Sequence, residues 1–384
     1  MTKRVGMSTY IVREVRSRKD LKKFILFPDE LYKGCDCYVP PLHDGQEHEL
    51  MHSASLEYCT RKMWLAEDAD GKVAGRICAI INPRYNERYG MKRVRFGWFD
   101  LINDIEVARL LTGAAESWAL SQGMEEIHGP LQYTTMGRQG MLVEGFDKLA
   151  PFSCLYNYPY YVDLVTRLGF EKECDWVQYR MPAGQGVDEK MKNIAARMLD
   201  RYHIRAADFD KLKKDRSYFK KFFDAYNSAF DGHVYNFVPF TDAEIEEEID
   251  NILQMLDRKL CCVLLDEDDE VAAFGIAMVS LSGAMRKAKG RLFPFGWYHV
   301  LKAKKDYRNI DLLLNGAAPK WQKTGISSVF HGIMAGQFQD CGAEWAIANP
   351  QIETNTAVNV WERYESELWL RRRCWVKKIG GACK

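Results

Sequence analysis

Short apolar runs and amphipathic helical patterns alternate along the whole chain, and the same order of elements occurs twice. For the first half the pattern predicts strands over residues 9–15, 63–66, 73–81, 94–101, 126–129 and 176–180. It predicts helices over residues 19–32, 105–122 and 160–168. For the second half it predicts strands over residues 203–207, 260–266, 271–281, 310–317, 344–348 and 368–378. It predicts helices over residues 216–230, 241–258, 325–341 and 354–364. The segment 181–186, rich in glycine and small residues, interrupts the pattern between the halves. We therefore predict two α/β (α+β) domains, 1–185 and 186–384, each with a central sheet flanked by helices.

Composition adds a few limits to this scheme. A chain of 384 residues with 47% apolar residues has material for two hydrophobic cores, and a net charge of +1 predicts no general attraction to nucleic acid. The N-terminus lacks the apolar core of a signal peptide, and no apolar run approaches the roughly 20 residues that span a bilayer. Eleven scattered cysteines fit a reducing compartment. We expect a cytoplasmic protein.

The residues 311–332 carry the strongest chemical signal. An apolar strand leads into a loop that contains Gln322-x-x-Gly325-x-Ser327, and an apolar-periodic helix follows. The first N–H groups of a helix have no partner within the helix, so this end attracts anions such as a diphosphate. Gly325 allows a close approach of the backbone and a positive φ. An ordinary strand-to-helix turn is the alternative interpretation.

This loop resembles the pyrophosphate loop of the GNAT acyltransferases, whose pattern is Gln/Arg-x-x-Gly-x-Gly/Ala. Ser327 stands where that family prefers glycine or alanine, and serine is small enough to fit. The resemblance implies that the diphosphate of an acyl-coenzyme A, with an acetyl or longer acyl group, is bound by a set of loop residues. They are Gln322, Lys323, Thr324, Gly325, Ile326 and Ser327.

The resemblance extends over nearly the whole chain. Glu353-Thr-Asn355 is similar to a later motif of the family, and a helix from Tyr160 closed by Gly169-Phe170 is similar to its helix ending. The segments 38–42 (YVPPL) and 142–147 (LVEGFD) resemble those of two-lobed GNAT-like proteins of bacteria, of which bacterial ceramide synthases are one branch. A tandem pair of GNAT-like lobes, each with a mixed, mostly antiparallel sheet, is the fold that this resemblance implies. The implied activity moves an acyl group from acyl-coenzyme A to a primary amine of a small molecule or lipid precursor.

The family's site residues map onto the second lobe. The strand before the loop would hold the carrier through its backbone at Leu314, Asn315, Gly316 and Ala317, and Asn355 would complete the coenzyme site. Glu353 is the candidate base for the amine, although a glutamate at this place also serves as a helix N-terminal group. Tyr364 is the candidate proton donor for the leaving thiolate, with plain packing as the alternative. No metal is expected.

The first lobe lacks a comparable loop. Its helix begins at Asn103-Asp104-Ile105, and the acidic residues Asp104 and Glu106 would repel a diphosphate. Only the second lobe is therefore predicted to hold coenzyme A, and the first supplies scaffold and substrate surface or structural support alone.

Residues 286–305 are dense in basic and aromatic side chains. They could contact anionic lipid headgroups at a membrane interface, cover an apolar acyl tunnel, or form a core-packed insertion with solvated lysines. Peripheral contact with the inner membrane is thus one interpretation of this segment.

Two further functions remain open. His48-Glu49-Leu-Met-His52 spells the HExxH motif of zinc hydrolases, with Glu57 or Glu67 as a third ligand by sequence distance only, but the flanking residues leave barely two helical turns. The alternative is a polar surface turn. The other hypothesis for tandem lobes with one degenerate site is a non-catalytic protein that binds acyl-coenzyme A or serves as a scaffold.

Overall fold

The computed structural model describes residues 9–185, 189–209, 214–232, 234–355 and 365–380. Contacts between residues divide the chain into two compact units. Unit 1 comprises 1–175, 288–294 and 371–384, and unit 2 comprises 176–287 and 295–370. The division between residues 185 and 186 stays a prediction about the domains. The division by contacts places two short segments of the second half, 288–294 and 371–384, in unit 1.

Unit 1 is built on a mostly antiparallel sheet in the order β1-β2-β3-β4-β5-β14, with β6 paired to β14. Among the strand pairs formed by the described residues of this unit, β4 and β5 run parallel. The strands are β1 (Tyr10–Glu14), β2 (Thr60–Asp68), β3 (Val73–Ile81), β4 (Arg93–Leu101), β5 (Glu126–Gly129), β6 (Met141–Glu144), the start of β7 (Glu171–Pro182) and most of β14 (Glu367–Lys378). The helices are α1 (Arg18–Leu31), α2 (His43–Met51), α3 (Pro83–Tyr89), α4 (Ile105–Ser121) and α5 (Tyr160–Arg167).

Alternation along the strands of unit 1 buries both faces of the sheet. Trp64 and Ala66 of β2 pack with α4 and α5 in one core, whereas the neighbouring Met63 and Leu65 pack with α1 and α2 in another. Helix α1 begins where Ser17 and Asp20 form a capping box, in which each side chain bonds the other's backbone N–H. The predicted sheet with flanking helices is confirmed.

Unit 2 repeats this plan in the order β7-β12-β11-β10-β9-β8, with β13 paired to β7. In the part of unit 2 that the structure describes, the parallel pair is β11 and β12. The strands are the end of β7, β8 (Arg205–Ala206), β9 (Cys261–Leu265), β10 (Val271–Val279), β11 (Asn309–Ala317), β12 (Trp345–Ile347) and β13 (Gln351–Ile352). The helices are α6 (Glu189–Arg201), α7 (Arg216–Phe230), α8 (Asp242–Met255), α9 (Ser282–Ala288), α10 (Gly296–Ala303) and α11 (Ile326–Asp340).

The central strand β10 of unit 2 is buried along its whole length, which explains its unbroken apolar sequence VAAFGIAMV. Phe274 meets the ring of Phe222 on α7, with centroids 4.6 Å apart. A Cβ on the adjacent Gly275 would lie 2.1 Å from the sulfur of Met334 on α11, so only glycine lets this helix pack so closely. Helices α7 and α11 therefore cover opposite faces of the sheet.

One predicted element differs from the structure, and another stays a prediction. The segment around the HExxH motif, interpreted as a surface turn, forms the nine-residue helix α2. The predicted helix 354–364 lies almost wholly outside the described residues. None of the helices in the described ranges has the length and apolar content needed to cross a membrane.

Candidate functional site: a parted strand pair and the loop after it

The parallel strands β11 and β12 of unit 2 pair over three residues only. Asn309 to Asp311 lie opposite Trp345 to Ile347, and beyond Asp311 the two strands are no longer bonded. Directly after this point β11 carries a bulge, because Ala277 of β10 pairs with Leu312 and Ile276 with Leu314, so that Leu313 is an extra residue. A bulge bends its strand. Residues 312–317 therefore offer an open backbone edge to the space between the strands.

A cleft of about 620 Å³ occupies this opening. Its strand walls come from β7, β10, β11 and β12, and its helical wall is α11. Among the residues that line the cleft are Ile276, Leu312, Leu314, Asn315, Phe330, His331, Met334 and Phe338. Most of this lining is apolar, with Asn315 and His331 as polar groups.

His331 was not singled out from the sequence. Burial lowers the pKa of its imidazole to about 4, so the ring is neutral near pH 7. A neutral imidazole offers one donor and one acceptor to a ligand in the cleft. The signal that could have revealed it is helical spacing, because His331, Ala335 and Phe338 follow one another at intervals of four and three residues on the wall of the cleft.

The predicted loop connects β11 to α11 through a short 3-10 turn, Pro319–Trp321. Lys323 and Gly325 both have positive φ, 67° and 90°. For Gly325 this conformation is unstrained, which is the physical reason for glycine at this position. The ring of Trp321 is buried and anchors the turn against Tyr202, at 5.6 Å between centroids.

The start of α11 leaves donors open to a ligand. Thr324 partly caps it, since its hydroxyl accepts from the N–H of Ile326 at 3.4 Å. In the part of the chain that the structure describes, the N–H groups of Gly325 and Ser327 meet no acceptor. Lys323, Gly325 and Ser327 are exposed, so a cation, two N–H groups and a hydroxyl are accessible together. The methyl group of Met198 on α6 lies next to Gly325, 3.2 Å from where a Cβ would be.

The other predicted coenzyme residues take several places. Leu314 and Asn315 line the cleft. Gly316 packs on the ring of Phe274, and the carbonyl of the buried Ala317 accepts from the Gln322 side chain at 3.2 Å. Gln322 therefore braces the loop from within. Ile326 is buried below the loop.

The predicted proton-transfer residues are not assembled at the cleft by the described structure. Glu353 is half-buried in a turn after β13, and Asn355 closes that turn with its N–H on the carbonyl of Ile352 at 3.0 Å. Neither lines the cleft. Tyr364 lies outside the described residues. The roles of Glu353, Asn355 and Tyr364 stay predictions.

Asp311 is a buried acid at the point where β11 and β12 part. Its side chain is almost wholly buried, and no hydrogen bond of ordinary geometry reaches either carboxylate oxygen. Burial raises the pKa of Asp311 to about 7, and the nearby hydroxyl of Ser280 offsets only part of that rise.

Within the described residues, one group of side chains brings three potential metal ligands together, and it lies in unit 1. His128, Glu173 and Cys374 place their ligand atoms within 4.8 Å of one another. The guanidinium of Arg93 already neutralises Glu173 at 2.5 Å. The HExxH residues are not part of this group; Glu49 instead lies 3.6 Å from Arg138.

The fold defined by these two units is that of tandem GNAT proteins. A tandem GNAT protein from the clavulanic acid biosynthesis pathway superposes with a TM-score of 0.56 at 8% identity, covering 97% of this chain and all of the other (100%). A GCN5-related N-acetyltransferase from Sphaerobacter thermophilus gives 0.50 at 11% identity, with 98% of each chain covered. The glucosamine N-acetyltransferase region of a fungal β-N-acetylglucosaminidase gives 0.58 at 15% identity over 97% of this chain, which spans 38% of that larger protein.

Two proteins are similar to this chain in sequence. Protein YghO of Escherichia coli K12 is 29% identical over 381 residues, which are 96% of this chain and 95% of YghO. A bacterial ceramide synthase of Caulobacter vibrioides is 26% identical over 295 residues, covering 75% and 74% of the two chains. The sequence matches no protein-family model. The resemblance to two-lobed GNAT proteins predicted above is confirmed.

Proposed function

We propose that the protein transfers an acyl group from acyl-coenzyme A to an amine. The observation that carries this proposal is the cleft between the parted strands β11 and β12, because the helix that lines it, α11, also begins with open N–H groups. The tandem GNAT fold and the acetyltransferase descriptions of its neighbours support acyl transfer in general.

The loop would hold the diphosphate of the carrier. The N–H groups of Gly325 and Ser327 donate to phosphate oxygens, and Lys323 supplies a positive charge. The pantetheine arm then lies along β11. The backbone of residues 312–317, which has no partner in β12, forms hydrogen bonds with the amides of the pantetheine. The apolar wall formed by Phe330, Met334 and Phe338 receives the acyl chain.

Transfer requires that the amine nitrogen attack the thioester carbon while the carbon–sulfur bond breaks. The amine loses one proton and the leaving thiolate gains one. In this proposal Glu353 accepts the first proton, directly or through water, and Tyr364 donates the second. The neutral His331 lies in the cleft itself and serves as a hydrogen-bonding group for the carrier.

A long-chain lipid amine is the acceptor that we propose. The relative from Caulobacter vibrioides is by its name a ceramide synthase, and ceramides are N-acylated long-chain amino alcohols. Helix α10 also exposes an apolar face in unit 2, where Phe295 is 74%, Tyr298 55% and Leu301 53% accessible. Lysines at 302, 304 and 305 follow this face and would meet anionic headgroups.

The decisive experiment follows thiol release and product mass with acyl-coenzyme A of short and long chain. Each thioester is offered with sphinganine and, separately, with short water-soluble amines. We expect thiol release with an N-acylated product, faster for sphinganine and a long-chain thioester. A thioester that binds and stays intact with every amine would instead identify a non-catalytic acyl-coenzyme A-binding protein.

Membrane contact is tested with vesicles of phosphatidylglycerol and of phosphatidylcholine. We expect co-sedimentation with the anionic vesicles, weakened severalfold when Phe295 and Leu301 are replaced by serine, because exposed apolar area and basic charge act together. Ile194→Ser is the matched control, since Ile194 is an exposed apolar residue of unit 2 outside α10 (41% accessible). Equal loss in the control, or no binding by the wild type, would contradict the lipid-facing role.

A further inference from the structure

Unit 1 has its own cleft at the equivalent place in its sheet. The parallel strands β4 and β5 pair over Arg93 to Arg95 and Glu126 to His128, and β4 then carries a bulge in which Trp98 has a φ of 44°. A cleft of about 620 Å³ lies beside this bulge, with Trp98, Phe99 and Asp100 in its wall. Such an opening in unit 1 has no role in the function proposed above.

The floor of this cleft is a buried ion pair whose charges cancel. Arg76 donates to Asp100 at 2.8 Å and to the carbonyl of Phe24 at 2.7 Å, and the Tyr32 hydroxyl donates to the other oxygen of Asp100 at 2.9 Å. Arg76 is 4% and Asp100 9% accessible. Because Arg76 neutralises Asp100 and both of its oxygens already accept hydrogen bonds, this pair offers no net charge to a ligand.

Two polar side chains of this cleft, Gln46 and Tyr38, have hydrogen-bond donors that remain unused. Gln46 is buried, and its carbonyl oxygen accepts from Arg76 at 3.4 Å, which turns its amide NH₂ away from that contact. Within the described ranges neither this NH₂ nor the Tyr38 hydroxyl forms a hydrogen bond. Burial raises the pKa of Tyr38 well above its usual value, so the hydroxyl keeps its proton.

Arg138 adds a positive charge to the same wall. Its side chain is 16% accessible, and its one ion-pair contact within the described chain is Glu49 at 3.6 Å, which is longer than a charge-assisted hydrogen bond. The loop that carries Arg138 is fixed, since its N–H donates to the Gln132 side chain at 2.6 Å and Gly140 donates to Pro130 at 2.9 Å. The backbone that carries Arg138 is therefore held in place, and the guanidinium has further donors beyond its contact with Glu49.

We propose that the cleft of unit 1 binds a small organic carboxylate, recognised by Arg138, Gln46 and Tyr38. An anionic, acceptor-rich group matches these donors and would meet a guanidinium whose contact with Glu49, at 3.6 Å, is long. The aromatic and proline walls, among them Trp98, Phe99 and Pro130, favour an apolar body on the ligand and disfavour a strongly hydrated phosphate. Coenzyme A is not this ligand, because Asp104 caps the adjacent helix α4 with a carboxylate.

The test measures binding of phenylacetate and octanoate to the full-length protein by calorimetry, with phenylacetamide, octanamide and inorganic phosphate as comparison probes. Arg138→Gln is expected to weaken the two acids by about tenfold or more and to leave the amides unchanged. Arg167→Gln is the matched control, since Arg167 is an exposed arginine of unit 1 that pairs with Asp163 on its own helix. Binding of the acids to this control should equal that of the wild type.

Tyr38→Phe provides a second test that keeps the size of the side chain. Loss of one hydroxyl donor should weaken the acids severalfold and the amides less, because a carboxylate accepts a stronger hydrogen bond than an amide carbonyl does. Three results would overturn the proposal: no saturable binding of either acid to the wild type, equal binding to Arg138→Gln, or displacement of both acids by inorganic phosphate at a similar concentration. Coenzyme A binding is measured on the same variants and should not change, which separates this site from the cleft of unit 2.

Discussion

The clefts of the two units differ in charge and in the residues that begin the following helix. In both units, however, the cleft lies beside a bulge that follows a parallel strand pair. In each unit a parallel strand pair of three residues is followed by a bulge and a cleft of about 620 Å³. In unit 2 the following helix begins at Gly325 with open N–H groups, whereas in unit 1 Asp104 accepts from the N–H of Glu106 at 2.8 Å. Under the proposed function, the helix start of unit 2 suits a diphosphate and that of unit 1 does not.

The buried residue at the last paired position also differs. Unit 1 has Arg95 there, which donates to the carbonyls of Gln132 and Tyr133 at 2.8 and 2.7 Å. Unit 2 has Asp311, which lacks such partners. The charge is compensated by backbone carbonyls in unit 1, whereas in unit 2 burial raises the pKa of Asp311 and so favours its neutral form.

Gly325→Asp should have the largest effect, because it gives unit 2 the acidic helix start of unit 1. A carboxylate about 4 Å from a phosphate costs about 4 kcal/mol at an effective dielectric constant near 20, or about a thousandfold in affinity. Calorimetry with coenzyme A should show no measurable binding.

Gly342→Asp is the matched control for this variant. Gly342 follows the other end of α11, has a φ of 70°, and has open space around it. The two variants thus share backbone strain and differ in distance from the loop. Undiminished affinity in Gly325→Asp, or equal loss in both variants, would show that the loop is not the diphosphate site.

Asp311→Asn should stabilise the protein by a few kcal/mol at pH 8. The pKa of this carboxyl rises from 3.8 to about 7 on folding, so the stability it contributes is fully present below its ordinary pKa and is lost as the pH rises towards about 7. Each pH unit in this window costs about 1.4 kcal/mol. Chemical denaturation at pH 5 and pH 8 measures the difference. A gain that is the same at both values would show that the acid is not protonated in the folded state.

Ala335→Phe should weaken coenzyme A binding by about tenfold, because the ring fills part of the cleft of unit 2. Gly336→Phe is the control, since Gly336 is the next residue of α11, does not line the cleft and has open space around it. Calorimetry on both variants separates filling of the cleft from a general disturbance of the helix. Equal affinities would place the carrier elsewhere.

How far the sequence predicts this molecule depends on the range of each interaction. The strand, glycine and helix around Gly325 are local features, and their pattern is visible in the sequence. The clefts are not, because the bulges at Leu313 and Trp98 exist only once distant strands have paired in a given register. The same holds for His331, whose place in the cleft depends on how α11 packs on the sheet, and for β14, whose later residues pair with β5 in unit 1.

Asp104→Ala should have the smallest effect. The Asp104 side chain caps α4 and also accepts from the Tyr10 hydroxyl at 3.1 Å, so its removal should cost about 1 kcal/mol of folding stability. Asp147→Ala is the control, because Asp147 is exposed in a turn and caps no helix. Thermal unfolding compares the two. Coenzyme A should still bind with unchanged stoichiometry, since Glu106 keeps a negative charge in the first turn of α4. A second coenzyme site in Asp104→Ala would mean that one cap residue alone distinguishes the two units.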